Sequence, residues 1–384
     1  MLYTEEQLKK YSIYQLRFLA RHVGVRSPTT KKREELIEKV LAIQNGEEQP
    51  YYAPNNKGRP AKGCFMPLEN SESAIVYGVE GDMDGDVVFK KRIAEYDAGN
   101  VARVSGFVLE SNYQYFLISF DNPMTVERVA FLSKDFADLN GIREGDKLVC
   151  EAKYDTDLEM LVVQKVIMMN NREFDGKERP LFEEIAPVFT KGKIDFESEY
   201  PVVNEIKGIA PLCYGDRGLI VGNKRSRLYS VVLPVVASVC SAAKVVLLAL
   251  NETPERIDEI KKLSEDNFQL FYSAFSDGPS RQFYVLKMAI NYVKRLAESG
   301  ENVILFITDL ADVYQGNLDT EAIYSIKSFF AMARNFAESG SCSVVGGCSP
   351  EFFAEHSDFD NFMDFLWVEE HDQLSKEKTV RHDK

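Results

Sequence analysis

Tryptophan is nearly absent from this 384-residue chain, with one copy, and histidine is scarce, with four. His22, His356, His371 and His382 fall into no HExxH, Ser/His/Asp or Cys/His pattern, which excludes the common zinc-hydrolase and triad chemistries. Cys64, Cys150, Cys213, Cys240, Cys342 and Cys348 are dispersed without a CxxC pair. That usage predicts reduced thiols rather than a disulfide framework or a zinc site, so no metal is expected. An excess of positive charge is also lacking. The 46 Lys plus Arg face 60 Asp plus Glu, a net charge of −14, which argues against a surface coated for non-specific DNA or membrane binding. No long apolar run is unbroken either. Val231–Leu250 comes nearest, but Pro234 and Lys244 interrupt it, and the pattern predicts a buried helix followed by a buried strand. Met1–Lys10 is polar, without a secretory start, so a soluble, cytoplasmic protein with no membrane partner is expected.

What is present divides the chain. Residues 1–48 read as a small helical module: Ser12 and Gln15 form a capping box, and Ile13, Leu16, Leu19 and Ala20 make an apolar face. Gly24 closes that helix, Arg26–Pro28 is an extended link, and Leu36, Ile37, Val40 and Leu41 mark a second helix. Only the first fifty residues are basic, by +2, with Arg26, Lys31, Lys32 and Arg33 near the start of the second helix. The arrangement resembles the SAP-like modules of nucleic-acid-binding proteins, and the plainer reading is a solvated helix face. Residues 49–100 form a linker rich in turn residues, with Pro50, Pro54, Pro60 and Pro67. Within it Lys57-Gly58-Arg59-Pro60 resembles an AT-hook core, making DNA a candidate partner. The run from Asp82 to Asp86 lacks the glycine and glutamate that a calcium loop requires, with Val87 and Ile93 at those positions.

Residues 101–170 carry five short alternating strands, Ala102–Val108, Tyr115–Phe120, Ala130–Leu132, Lys147–Ala152 and Leu161–Val166, the pattern of an OB or cold-shock-type barrel. In residues 171–384 strands and helices alternate from Gly208 onward, predicting an α/β domain with a largely parallel sheet.

In such a sheet the loop after the first strand is the place for phosphate. Gly218-Leu-Ile-Val221 is that strand and Gly222 opens the loop. A phosphate-binding pattern begun at Gly222 needs glycine, lysine and serine or threonine at 227–229. The chain has Arg227, Leu228 and Tyr229. The amide cradle, the lysine for the β- and γ-oxygens and the magnesium hydroxyl are therefore lost together, although Lys224, Arg225 and Arg227 keep the loop positive.

Over nearly its whole length the chain resembles the bacterial transcription termination factor Rho family of RNA-dependent ATPases. The resemblance runs in order through Gly106-Phe-Val-Leu-Glu110, Arg179-Pro-Leu-Phe-Glu183, Arg217-Gly-Leu-Ile-Val221, Glu252-Thr-Pro-Glu255, Phe275-Ser-Asp-Gly-Pro-Ser-Arg281, Lys294-Arg-Leu296 and Ala333-Arg-Asn335. It implies a multidomain α+β and α/β protein: a SAP-like helical module, an OB-fold RNA-binding barrel and a RecA-like domain, in a family that forms rings on RNA. The departures concentrate on the nucleotide machinery. Arg227-Leu228-Tyr229 stands for the family's Gly-Lys-Thr, and the Walker B acid falls on Ile307 or Thr308, with Asp309 just beyond. Glu252 matches the family's water-activating glutamate. Glu369 stands where the family has an arginine facing a neighbour's nucleotide, and the last 34 residues contribute −6. The sequence reaches Lys384 before most of the family's C-terminal part, and the RNA-gripping loops are unrecognisable between Tyr314 and Ile326.

For RNA, the resemblance places Tyr113, Tyr115, Phe116 and Phe131 as base-stacking aromatics with Arg103 and Arg128 nearby, against a barrel net charge of −4. The expectation is a Rho-like protein that binds single-stranded RNA and modulates termination without hydrolysing ATP, as a homo-oligomeric ring or mixed with a true Rho. No cofactor is expected. Two alternatives stay open: a divergent RNA-dependent ATPase using ATP and magnesium with Glu252 and Asp309, and a DNA-associated adaptor using the N-terminal module and Lys57–Arg59.

Overall fold

The computed structural model of the chain describes residues 5–10, 16–17, 19–20, 23–28, 31–48, 90–91, 101–111, 114–120, 126–156, 158, 160–189, 192–222, 225–263, 267–315, 326–337, 340–356, 361–370 and 373–379. At the front, α1 (Glu5–Lys10) and α2 (Arg33–Gln44) pack through Leu8, Leu16, Leu19, Val23, Leu36, Ile37 and Val40. Gly24 takes the left-handed φ of 96° that ends the preceding turn. Ser12 and Gln15 lie outside the described residues.

Five strands form the barrel: β1 (Val101–Ser111), β2 (Gln114–Ser119), β3 (Glu127–Leu132), β4 (Lys147–Asp155) and β5 (Met160–Met169). Antiparallel pairs β1–β2, β2–β3, β1–β4 and β4–β5 carry the sheet around, and a parallel contact between Phe131 and Val162 closes it. The helix α3 (Lys134–Leu139) follows β3, with the Ser133 hydroxyl accepting from the Phe136 amide at 3.3 Å. Two-residue alternation divides the strands between two cores. Ala102, Val104, Val108 and Leu117 point into the barrel, whereas Phe107, Leu109, Phe116 and Ile118 point outward and join the core of the next domain. Gly106 makes this possible. A Cβ there would lie 2.8 Å from the Ile118 carbonyl oxygen, so only glycine lets β1 press so close to β2.

The α/β domain opens with α4 (Pro201–Ile209) and continues through β6 (Arg217–Gly222), α5 (Arg225–Val239), β7 (Lys244–Glu252), α6 (Pro254–Lys261), β8 (Phe268–Ala274) and α7 (Pro279–Glu298). Then come β9 (Asn302–Ile307), α8 (Leu310–Gln315), α9 (Ile326–Ala331), β10 (Ser341–Cys348), α10 (Pro350–Glu355), β11 (Phe365–Glu370) and β12 (Gln373–Thr379). The main path of the sheet runs β8-β7-β9-β10-β6-β11-β12, parallel except for β12, and short antiparallel strands at Arg334–Phe336 and Pro187–Val188 extend from β10. Both faces are covered, so the strands are continuously apolar. Val246, Leu248 and Leu250 meet the face of α7, while Val245, Leu247 and Ala249 belong to the core of α5. The run Val231–Leu250 thus resolves into the end of α5 and most of β7. Among the described residues no helix is long and apolar enough to cross a membrane.

Barrel and sheet are joined by polar bonds as well as by apolar packing. Lys147 Nζ donates to Gln269 Oε1 at 2.9 Å, and Lys287 pairs with Glu144 at 2.6 Å. Behind them Phe107 meets Phe271 and Tyr292 at ring-centroid distances of 5.0 and 5.3 Å.

Candidate nucleotide and RNA sites

A parallel sheet presents its ligand crevice at the carboxyl ends of its strands. Here those ends are Gly222 of β6, Glu252 of β7 and Ile307 of β9. Gly218, early in β6, is set by packing rather than by phosphate: a Cβ would lie 1.9 Å from Cζ of Phe365. Gly222 ends β6 beside Glu369 of β11. The helix α5 already begins at Arg225, only three positions later. A phosphate loop begun at Gly222 would still be open at 227, wrapping its amides around oxygens. In this chain Arg225, Arg227, Leu228 and Tyr229 form the opening of α5 instead, so the backbone turn that cradles phosphate has been taken up by helix. Lys224 lies outside the described residues.

Tyr229 stands where a phosphate-binding pattern begun at Gly222 needs serine or threonine, and its side chain is buried beside Glu252. It is 3% exposed, and its hydroxyl donates to Oε1 of Glu252, itself 3% exposed. The Thr308 hydroxyl stands 3.5 Å from the same oxygen. Arg256, whose amide is capped by Thr253, covers the tyrosine ring with Cζ 4.4 Å from its centroid. Glu252 is therefore held by a phenol and a hydroxyl. Ile307 is buried in the apolar core, so the first candidate position for a Walker B acid carries no charge. Asp309, half-buried, accepts from the Ala311 amide at 2.9 Å and caps α8. In a phosphate-loop nucleotide site magnesium is held by a serine or threonine hydroxyl, a carboxylate and the phosphates. With Tyr229 bound to Glu252 and Asp309 turned to a helix start, these residues do not fit a nucleotide–magnesium pair. Among the described residues no three His, Cys, Asp or Glu side chains converge on a metal position.

A neighbouring polar chain was not foreseen. Asn251, at a left-handed φ of 55°, donates to Asp312 Oδ1 at 3.0 Å and accepts from the Gln282 amide. Its own N–H reaches the Ser273 hydroxyl at 3.2 Å. The only sequence signal is an asparagine just before Glu252, which is too common to single out.

The barrel buries the rings named as base-stacking aromatics. Phe116 and Phe131 are 0% and 2% exposed and meet edge to face at 5.8 Å. The guanidinium of Arg128, also buried, lies 4.5 Å from the Phe116 centroid, where a base would stack. Tyr115 points into the barrel, and burial raises its phenol pKa above the ordinary value, with Glu110 adding to the effect. The outward face of β2 is needed to cover the junction with the sheet, so its aromatics are core. Arg103 is exposed on β1, and Tyr113 lies outside the described residues.

In the N-terminal module, Lys31 pairs with Glu35 and Arg33 donates to the Lys9 carbonyl at 2.5 Å, tying α2 to α1. Arg26 and Lys32 are exposed. Lys31 and Arg33 thus serve the module itself. Lys57 and Arg59 lie outside the described residues.

No protein-family model matches the chain. Among curated proteins it is similar to transcription termination factor Rho of Aquifex aeolicus, 22% identical over 367 residues that cover 90% of this chain and 73% of that one. The Rho proteins of Pseudomonas fluorescens and Chromobacterium violaceum are 26% and 28% identical over 228 and 229 residues, 53% of this chain in each case. Those matches span 54% of the relatives, about half their length. Among solved structures, an ATP synthase subunit NeqB from Nanoarchaeum equitans overlays 47% of this chain and 54% of its own at a TM-score of 0.37 and 17% identity. An ATPase from a bacterial type III secretion system overlays 54% of this chain and 66% of its own at a TM-score of 0.37 and 15% identity.

Proposed function

The chain is a divergent relative of transcription termination factor Rho, and from that premise we propose that it is an RNA-binding modulator of termination whose α/β domain acts as a scaffold without hydrolysing ATP. The barrel followed by a parallel sheet supports a barrel-plus-RecA-like layout; numbering the sheet strands in chain order, they lie 3-2-4-5-1-6-7. The observation that carries the reading is the Tyr229–Glu252 bond. It spends the family's water-orienting carboxylate on the side chain that replaces the magnesium-binding threonine, beside a loop shortened into α5.

Single-stranded RNA is the proposed partner, taken as a ring of identical chains or in an assembly with a true Rho. With Phe116 and Phe131 in the core and Arg128 over Phe116, these rings offer no stacking face. Affinity then rests more on exposed cations such as Arg103 than on stacking. Measuring ATP turnover with and without pyrimidine-rich RNA tests the reading. No turnover is expected in either case, with RNA retarded in a binding assay. RNA-stimulated hydrolysis that disappears in Glu252→Gln would establish the divergent ATPase instead.

A further inference from the structure

Arg281 lies at the start of α7, where barrel and sheet meet. Its side chain runs back toward the helix N-terminus, and Nε donates to Asp277 Oδ2 at 3.0 Å. The same aspartate oxygen accepts from the Ala274 amide at 2.8 Å, so the pair is fixed on both sides. Arg281 is 3% exposed, yet both Nη1 and Nη2 are buried without a hydrogen-bond partner. A guanidinium has five N–H donors, and leaving four of them unmet in the interior is costly. Over the guanidinium sits the ring of Phe120, just past the end of β2, with its centroid 5.8 Å from Cζ. Phe120 is only half-buried, and its other neighbours are Phe107 and Phe271. The 20-residue helix α7 has no acid in its first turn and a glycine N-cap that supplies no side-chain bond. Asp277, one residue before that N-cap, sets its buried carboxylate at this end, and Pro279 brings no N–H to the first turn.

A buried fork with two free Nη groups is the arrangement that chelates two oxygens of one phosphoryl group. We propose that the Nη edge of Arg281, at the seam between barrel and sheet, forms a phosphate site that takes a phosphodiester of single-stranded RNA. The phosphate replaces the Phe120 ring, which swings outward from the half-exposed seam. Asp277 holds the guanidinium through Nε and leaves the Nη edge for the ligand. This assignment rests on the RNA-binding reading for its natural ligand, but its chemistry is that of phosphate from any source.

The test uses the full chain with two probes: a labelled pyrimidine-rich RNA followed by anisotropy across a salt series, and inorganic phosphate followed by thermal shift against chloride at matched ionic strength. Arg281→Lys keeps a cation beside Asp277 but loses the fork, so RNA affinity is expected to fall about tenfold. In Arg281→Gln the slope of log affinity against log salt is expected to become shallower by about 0.7, the contribution of one single-strand phosphate. Phe120→Ala leaves the Arg281–Asp277 pair intact and uncovers the fork, so stabilisation by phosphate increases. That variant keeps the test valid if Arg281→Gln fails to fold. RNA binding with unchanged affinity and salt slope in both Arg281 variants overturns the site and leaves the RNA reading standing. A wild-type chain that binds no RNA, yet loses its phosphate stabilisation in Arg281→Lys, supports the site and defeats the RNA reading. Phosphate stabilisation unaffected by Arg281→Lys and Phe120→Ala overturns the site outright.

Discussion

Arg179 closes a fork on Asp146, Nη1 to Oδ1 at 2.8 Å and Nη2 to Oδ2 at 2.7 Å, and so pins the connector after the barrel to the barrel's β3–β4 turn. The carboxylate is fully buried and also accepts from Asn170 Nδ2 at 2.7 Å and the Arg143 amide at 2.8 Å. Arg143 extends the network to Glu298 of α7 at 3.2 Å, and the Phe182 amide donates to that glutamate at 3.0 Å. Removing one member of such a pair strands the other. Asp146→Asn is expected to destabilise the chain by about 3–5 kcal/mol, read from urea unfolding. A loss below about 1 kcal/mol would show that water relieves the arginine.

Tyr229→Phe deletes one hydroxyl and leaves Glu252 with less hydrogen bonding in a buried site. A destabilisation of about 1–3 kcal/mol is expected by thermal or chemical unfolding. Tyr229→Thr supplies the threonine of a phosphate-binding pattern but not the loop absorbed into α5. Calorimetric titration with magnesium-ATP should therefore still show no binding. Tight binding there would mean that one side chain, rather than the backbone, blocks the site.

Gly218→Ala drives a methyl group against the Phe365 ring, which stacks on Trp367 at 4.3 Å and has little room to move. The expected cost is about 1–3 kcal/mol. Combining it with Phe365→Leu should recover part of that loss, a coupling that a double-mutant cycle measures directly.

Burial pushes the thiols of Cys150, Cys342 and Cys348 up to about 12 from an ordinary 9.0. Between those values the folded chain keeps protons that the unfolded chain releases, so stability falls as pH rises from 9 toward 12. Each thiol contributes a slope of about 1.4 kcal/mol per pH unit. At pH 8 these three should resist alkylation in the native state and react on unfolding, which mass spectrometry of labelled peptides resolves. Labelling of Cys342 without unfolding would contradict the burial.

The elements with a clear period were legible in the sequence. The five barrel strands, the break of Val231–Leu250 into helix and strand, and the missing phosphate residues all follow from local pattern. The lengths of the strand-to-helix turns did not. The start of α5 at Arg225 depends on how its apolar face seats against β6 and β7, a tertiary effect. The barrel aromatics failed for a related reason. Alternation separates Tyr115 and Leu117 from Phe116 and Ile118, but it does not say whether the second face meets water or another domain. Arg128 over Phe116 and Tyr229 on Glu252 are contacts between distant segments, which no spacing rule encodes.

Strand β1 has no solvent side where it carries Phe107 and Leu109, because one face lines the barrel and the other lines the sheet's core. The two units are therefore not separable parts. A fragment of residues 101–170 alone would present Phe107, Leu109, Phe116, Ile118 and Phe131 to water as one aromatic and aliphatic face. Such a patch drives self-association. Divisibility ends at that strand, and the barrel's solubility is a property conferred by its neighbour.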